Sequence, residues 1–173
     1  MRQSQTGGGS EMIISADTSA LVALSGIVQL RLLERIFGKV AIPPAVHREI
    51  VDQGLGWLEA AEAQAAIHDG EWLRVWTEPF EMLSAPFRKL DAGELEAISL
   101  ARHLNCLCLL DERRGRAFAE AHGVRVIGSL GVIVLAKNKG LVHKVAPLID
   151  AMRANGINLA DSLISVILSE CGE

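Results

Sequence analysis

Short apolar runs alternate along the chain with longer stretches in which apolar residues return every three or four positions. The short runs predict buried strands at residues 12–16, 40–42, 107–110 and 124–127, and the alternating segment 72–76 reads as one more. The longer stretches predict helices. Thr18 or Ser19 caps a short helix through Leu24. Residues 28–37 carry Leu30, Leu33 and Phe37 at helical spacing. Pro44 suits the first turn of a helix running through Glu49 to Asp52, which Gly54 and Gly56 break. Residues 57–68 are Ala-rich and helical. Residues 91–104 place Leu95, Ile98 and Leu104 on one side, with Asp91 as N-cap and Glu94 completing the cap. Further helices follow at 113–122, 130–139, 143–154 and 159–170, with glycines at 123, 140 and 156 marking their breaks.

Nearly all-apolar strands that alternate with helices imply a parallel sheet covered on both faces. The expected architecture is therefore a three-layer α/β/α sandwich with a mainly parallel sheet of about five strands. Sites in such sheets form at the carboxyl ends of strands. Asp17 and Asp111 both lie at that edge.

Composition narrows the class. The chain has 173 residues, half of them hydrophobic, which fits one domain with its own core and excludes disorder. No apolar run approaches the roughly 20 residues needed to span a bilayer. Residues 1–11 are polar and Gly-rich with no apolar h-region, so they read as a flexible tail or expression remnant ahead of a domain at 12–173. Cys106, Cys108 and Cys171 are odd in number. Cys106 and Cys108 alternate within a strand and read as buried thiols on one face, or as a Cys-x-Cys half-site that no second pair completes. The cytoplasm is the expected compartment. A net charge of −4 argues against a general basic surface for nucleic acid but leaves room for a nuclease with an acidic metal site.

The candidate chemistry is carboxylate chemistry, and each acid also has a plain structural explanation. Asp17 after a buried strand serves equally as a helix cap, and Asp111 repeats the placement. Glu94 sits in a first helical turn, where the dipole favours an acid. Glu49, among Val46, Ile50 and Val51, reads alone as solvent-facing. Arg113, Arg114 and Arg116 beside Asp111 suit phosphate recognition, or a solvated face and ion pairs with Glu112 and Glu120. His47 and His103 read as surface or interface residues. Trp57, Trp72 and Trp76 read as core or dimer packing ahead of base stacking.

Taken as a set, the acids resemble the PIN-domain family of metal-dependent nucleases. Ile14-Ser15-Ala16-Asp17-Thr18-Ser19-Ala20-Leu21 looks like its first motif, with Asp17 as a metal ligand supported by Ser19. Pro43-Pro44-Ala45-Val46-His47-Arg48-Glu49-Ile50 looks like the second, with Glu49 as its acid. Glu94 and Asp111 match the third and fourth. Three segments look closest to a PIN-like subfamily of unknown function: Leu90-Asp91-Ala92-Gly93-Glu94-Leu95-Glu96-Ala97-Ile98, Leu110-Asp111-Glu112-Arg113-Arg114-Gly115-Arg116 and Gly128-Ser129-Leu130-Gly131-Val132. The chain departs from many PIN nucleases in carrying Glu94 instead of Asp, and in following Asp111 with Glu112 and three arginines. The resemblance implies Asp17, Glu49, Glu94 and Asp111 as catalytic ligands of Mg²⁺ or Mn²⁺, ions that prefer hard oxygen donors. It further implies hydrolysis of single-stranded RNA, no membrane, a homodimer, and the toxin role of a toxin–antitoxin pair restrained by a small antitoxin. A non-catalytic PIN-like module binding nucleic acid or protein is the alternative. A haloacid-dehalogenase-type phosphohydrolase fits less well, because Ser19 stands where that family needs a second Asp.

Overall fold

Runs of four or fewer mostly aliphatic residues suffice for the strands, because a sheet covered by helices on both faces needs little polar surface. In the computed structural model, which describes residues 12–54, 56–84 and 90–173, β1 (Ile13–Ala16) lies between β2 (Lys39–Ile42) and β4 (Leu107–Leu109). β3 (Leu73–Val75) and β5 (Val126–Ile127) form the edges. The order is β3-β2-β1-β4-β5, with every pairing parallel. The expected tail at 1–11 lies outside the described residues.

Alternation along the strands builds two cores. Ile14, Ala16, Val40, Ile42 and Leu109 face one layer. It contains α1 (Thr18–Gly26), α2 (Leu32–Phe37), α4 (Ala61–Asp69), α7 (Ser129–Asn138) and α8 (Ala146–Ala154). Cys108 and Leu110 face the other, where α5 (Ala92–Leu104) and α6 (Arg113–Ala121) supply Ala97, Ile98, Ala101 and Ala119. On that second face Ser15 Oγ donates to Ala97 O at 2.8 Å, tying β1 to α5. The three-layer α/β/α sandwich with a parallel five-stranded sheet is thus present. Cys108 is buried and Cys106 half-buried, and among the described residues all three thiols are free.

Several helix boundaries differ from expectation, each for a local reason. Asp17, not Thr18 or Ser19, is the N-cap of α1. The helix expected from Val28 starts only at Leu32, because Val28 adopts φ 56°, a left-handed conformation unusual for a β-branched residue, as the chain turns out of α1. The helix expected from Pro44 to Asp52 changes character. α3 (Pro44–His47) runs into a π-helical turn, Arg48–Gln53, whose freed carbonyls of Ile50 and Gly54 accept from Gln64 Nε2 at 2.9 and 2.8 Å. Leu58–Ala60 is a single 3₁₀ turn before α4. α8 begins at Ala146 instead of residue 143, and the Glu173 carboxylate accepts from Val145 N at 2.8 Å and Ala146 N at 3.1 Å there. α9 (Asp161–Glu170) completes the chain. Among the described residues no helix is long and apolar enough to cross a membrane.

Candidate functional site

From β1 the chain crosses to β2 on one side, and later to β4 on the other, so strand order reverses at β1. A crevice opens over the carboxyl ends at such a reversal. Asp17 stands at its rim. Its backbone N–H makes the last sheet-edge bond, to Leu109 O at 3.0 Å. Its Oδ2 accepts from Ser19 N at 3.2 Å and Ser19 Oγ at 2.6 Å. Ser19 therefore orients this carboxylate. Asp17 is only 2 % exposed. Burial pushes its pKa up from 3.8 to about 6, against the lowering effect of the Ser19 bonds, and the nearby charge of Asp91 adds to the rise.

Glu94 reaches the same crevice from α5. Asp91 and Glu94 form a reciprocal capping box: Glu94 N donates to Asp91 Oδ1 at 2.8 Å, and Asp91 N to Glu94 Oε2 at 3.2 Å. Glu94 is 5 % exposed, an unusual place for a carboxylate at a helix start. Burial raises its pKa from 4.5 to about 7, and repulsion from Asp91, Asp17 and Glu112 contributes. Gly115 of α6 makes room for it, since a Cβ there would stand 3.1 Å from Glu94 Oε1.

Glu49 is not solvent-facing. The π-helical turn swings it under the start of α5, where Gly93 N donates to Oε1 at 3.2 Å and Thr18 Oγ1 donates to Oε2. This contact requires a glycine, because a Cβ on residue 93 would lie 2.7 Å from Glu49 Oε2. Gly93→Ala is expected to leave the fold intact while displacing the end of the Glu49 side chain. Loss of the Gly93 bond should cost about 1 kcal/mol. A urea melt checks this, and an unchanged midpoint would show that the held position of Glu49 contributes nothing to stability.

Two adjoining cavities join these groups. Asp17, Thr18, Ser19, Glu49 and Asp91 line one, of about 360 Å³. Ser19, Asp91, Glu94, Glu112 and Arg114 line the other. Asp91 and Ser19 belong to both. Asp91 thus lines both cavities, a position that its role as a cap concealed in the sequence, and Thr18 is a partner of Glu49 that no motif signalled. The one available cue was spacing: Asp91 and Glu94 fall on one helical turn.

Asp111 is placed differently. Its Oδ1 accepts from Ser129 N and its Oδ2 from Ser129 Oγ, each at 2.7 Å, so it anchors the start of α7. It lines a third groove with Arg116 and Ser129, not the two cavities around Asp91. Arg116 Nη1 donates to Leu110 O at 3.2 Å. Arg114 reaches the acidic cavity, and neither it nor Arg113 has an ion-pair partner among the described residues, so the pairs expected with Glu112 and Glu120 are not formed. All three arginines occupy the first turns of α6, where the dipole disfavours cations. Trp72 is core and Trp57 is not: they are 4 % and 48 % exposed. His103 is exposed and rests near the rings of Trp76 and Phe80.

The donor set suits a hard divalent cation. Every candidate ligand is a carboxylate or hydroxyl oxygen, and two buried acids within one field are driven toward the neutral state in the absence of positive charge. Among the described residues no three His, Cys, Asp or Glu side chains stand as a ready-made cage. Mg²⁺ does not need one, since it is commonly held by one or two carboxylates and completes its shell with water and phosphate.

No curated protein matches the chain. A solved structure that does is a PilT N-terminus domain protein, SSO1118, from the hyperthermophilic archaeon Sulfolobus solfataricus P2. It is 18% identical, with a TM-score of 0.47 and coverage of 70% of this chain and 90% of that chain. A family model described as a PIN domain (DUF3368) matches residues 12–173. Proteins with this domain are in general nucleases and typically depend on a divalent metal. With the match running through all five strands and every acid of the crevice, the chain belongs to the PIN-domain family.

Proposed function

We propose that residues 12–173 form one domain that acts as a Mg²⁺- or Mn²⁺-dependent endoribonuclease, hydrolysing phosphodiester bonds of single-stranded RNA. The observation that carries this reading is the pair Asp17 and Glu94, two buried carboxylates at the reversal point of a parallel sheet, both with raised pKa. Asp17 and Glu94 would hold the ion, with Glu49 and Asp91 close by and Asp111 joining once it exchanges Ser129 for the metal or its water. A bound ion supplies a water of lowered pKa and neutralises charge on the scissile phosphate. The chain's own residues orient and exclude. Ser19 fixes the Asp17 carboxylate, Thr18 and Gly93 fix Glu49, and Arg114, exposed beside the acids, offers a guanidinium to the phosphate backbone.

Protons and the cation compete for the same oxygens. With pKa values of about 6 and about 7, Asp17 and Glu94 are ionised at pH 8 and largely protonated at pH 5.5. Mn²⁺ affinity measured by calorimetry is expected to fall at least roughly tenfold between those pH values. An affinity flat across that range is incompatible with these two ligands.

We also place the protein in the cytoplasm, where its three free thiols stay reduced, as the homodimeric toxin of a toxin–antitoxin pair. That role follows the resemblance to PIN-domain nucleases drawn from the motifs of the chain. Growth arrest on expression, relieved by the product of a neighbouring reading frame, tests it. One observation favours a non-catalytic RNA- or protein-binding module instead: Asp111 is committed to Ser129 and not to the acidic cavities. RNA cleavage assayed in Mn²⁺ and in EDTA separates the two readings, because a module binds without cutting.

A further inference from the structure

The cavity shared by Asp17 and Glu49 has another wall that the metal chemistry leaves unused. Trp57, Val22 and Ile157 make it apolar, while Glu59 and Asn155 bring polar atoms to its edge. Trp57 is 48 % exposed, whereas Trp72 is 4 % exposed. Trp57 N donates to Gly54 O at 3.0 Å, and Ala60 at the end of the following 3₁₀ turn is completely buried. Asn155 Nδ2 donates to Gly26 O at 2.8 Å, which uses one of the two amide N–H groups and holds the amide at the cavity edge. Gly26 permits this approach, because a Cβ there would stand 3.0 Å from Asn155 Nδ2 and 3.3 Å from Glu59 Cβ.

These features select an occupant. Asp17, Glu49, Glu59 and Asp91 around one cavity repel a phosphate. A flat aromatic wall facing acceptor oxygens instead fits a neutral, planar group that carries N–H donors. We propose that this cavity is a nucleobase subsite. In it Trp57 stacks on the base of the nucleotide next to the reacting phosphate. The Glu59 carboxylate, which offers acceptors and no donor, favours bases with an exocyclic amine over uracil, while the Asn155 amide can pair with either. The proposal rests on the nuclease reading of the neighbouring acids, since it is their position that puts a nucleotide here. Stacking on an aromatic side chain tolerates any base, so Trp57 supplies affinity and Glu59 supplies preference.

Hydrolysis-resistant 2′-O-methyl phosphorothioate octamers of adenine and of uracil, titrated into the full chain, test this through tryptophan emission. The adenine octamer is expected to quench the parent. The quench should vanish in Trp57→Phe, which retains only the emission of Trp72 and Trp76. Binding should weaken about tenfold in Trp57→Ala and less than threefold in Trp57→Phe, which keeps a π face. The uracil octamer should bind the parent several-fold more weakly than the adenine octamer, and Glu59→Ala should narrow that gap. Unchanged emission at saturating octamer, unchanged affinity in Trp57→Ala, or no octamer binding at all overturns the subsite. Mn²⁺-dependent RNA cleavage with the parent KM in Trp57→Ala overturns the subsite and leaves the nuclease reading standing. Trp57-dependent binding without any cleavage does the reverse.

Discussion

Asp17→Asn is expected to make the protein more stable at pH 7.5 and to abolish the metal-dependent RNA cleavage proposed for it. The carboxylate is 2 % exposed, and burial raises its pKa from 3.8 to about 6. A raised carboxyl binds its proton more tightly in the folded state than in the unfolded one. Above about pH 6 both states are ionised, and the folded state bears the whole cost of the buried charge, about 3 kcal/mol. Below about pH 4 both are protonated and the cost is gone. The parent should therefore gain stability as pH falls from 7 toward 4. The asparagine variant, which keeps an acceptor for Ser19 and carries no charge, should gain at pH 7.5 and converge with the parent below pH 4. Mn²⁺ should raise the melting temperature of the parent at pH 7.5 and not that of the variant, because the ion compensates the same charge. Thermal melts with and without Mn²⁺ at both pH values, together with a cleavage assay, check all of this. A variant that melts lower than the parent at pH 7.5 defeats the electrostatic account, and one that cleaves as well as the parent defeats the mechanism.

Asp111→Ala is expected to act in the opposite direction on stability. Both oxygens of Asp111 are occupied, by Ser129 N and Ser129 Oγ at 2.7 Å each, and Ser129 itself is 3 % exposed. Removing the carboxylate leaves a buried N–H and a buried hydroxyl without their acceptor at the start of α7. It also removes a negative charge where the helix dipole favours one. A loss of about 2–3 kcal/mol follows. It reads out as a lower urea midpoint at constant slope. Mn²⁺ affinity should fall less than in Asp17→Asn, because Asp111 reaches an ion only by giving up Ser129. If Asp111→Ala is as stable as the parent, the bonds to Ser129 are not structural. Equal loss of Mn²⁺ affinity in both variants would restore Asp111 as a ligand of the same rank as Asp17.

The contrast between these two aspartates shows where reading the chain succeeds and where it stops. Each follows a short apolar strand, and that pattern alone places both at the carboxyl edge of a parallel sheet. The strand pattern does not distinguish them. What separates them is the neighbour each meets. Asp17 caps its own helix through Ser19, two residues on, whereas Asp111 is taken by Ser129, eighteen residues on and across β5. Asp91 shows the same limit from the other side. The Asp-x-x-Glu spacing announced a capping box, and the box is there, yet only the fold brings that box against Thr18, Ser19 and Glu49. Glu49 was obscured further by a change of helix type. A continuous α-helix from Pro44 and the observed π-helical turn aim the residue differently, and Gln64, distant in the chain, bonds the carbonyls of Ile50 and Gly54 there.

The sequence by itself determined the elements and their layering, because strand and helix periodicity and the caps are written in neighbouring residues, and sandwiched strands need only be apolar. It also determined the two strand-end aspartates, since an acid after a buried strand can only emerge at the edge of the sheet. The tertiary structure alone decided which acids share a cavity, which one is spent on a helix start, and how far burial shifts their protonation. Those properties depend on desolvation and on partners distant in the chain. The exposed Trp57 beside the acids is a product of the same packing, because only the assembled fold leaves that indole uncovered.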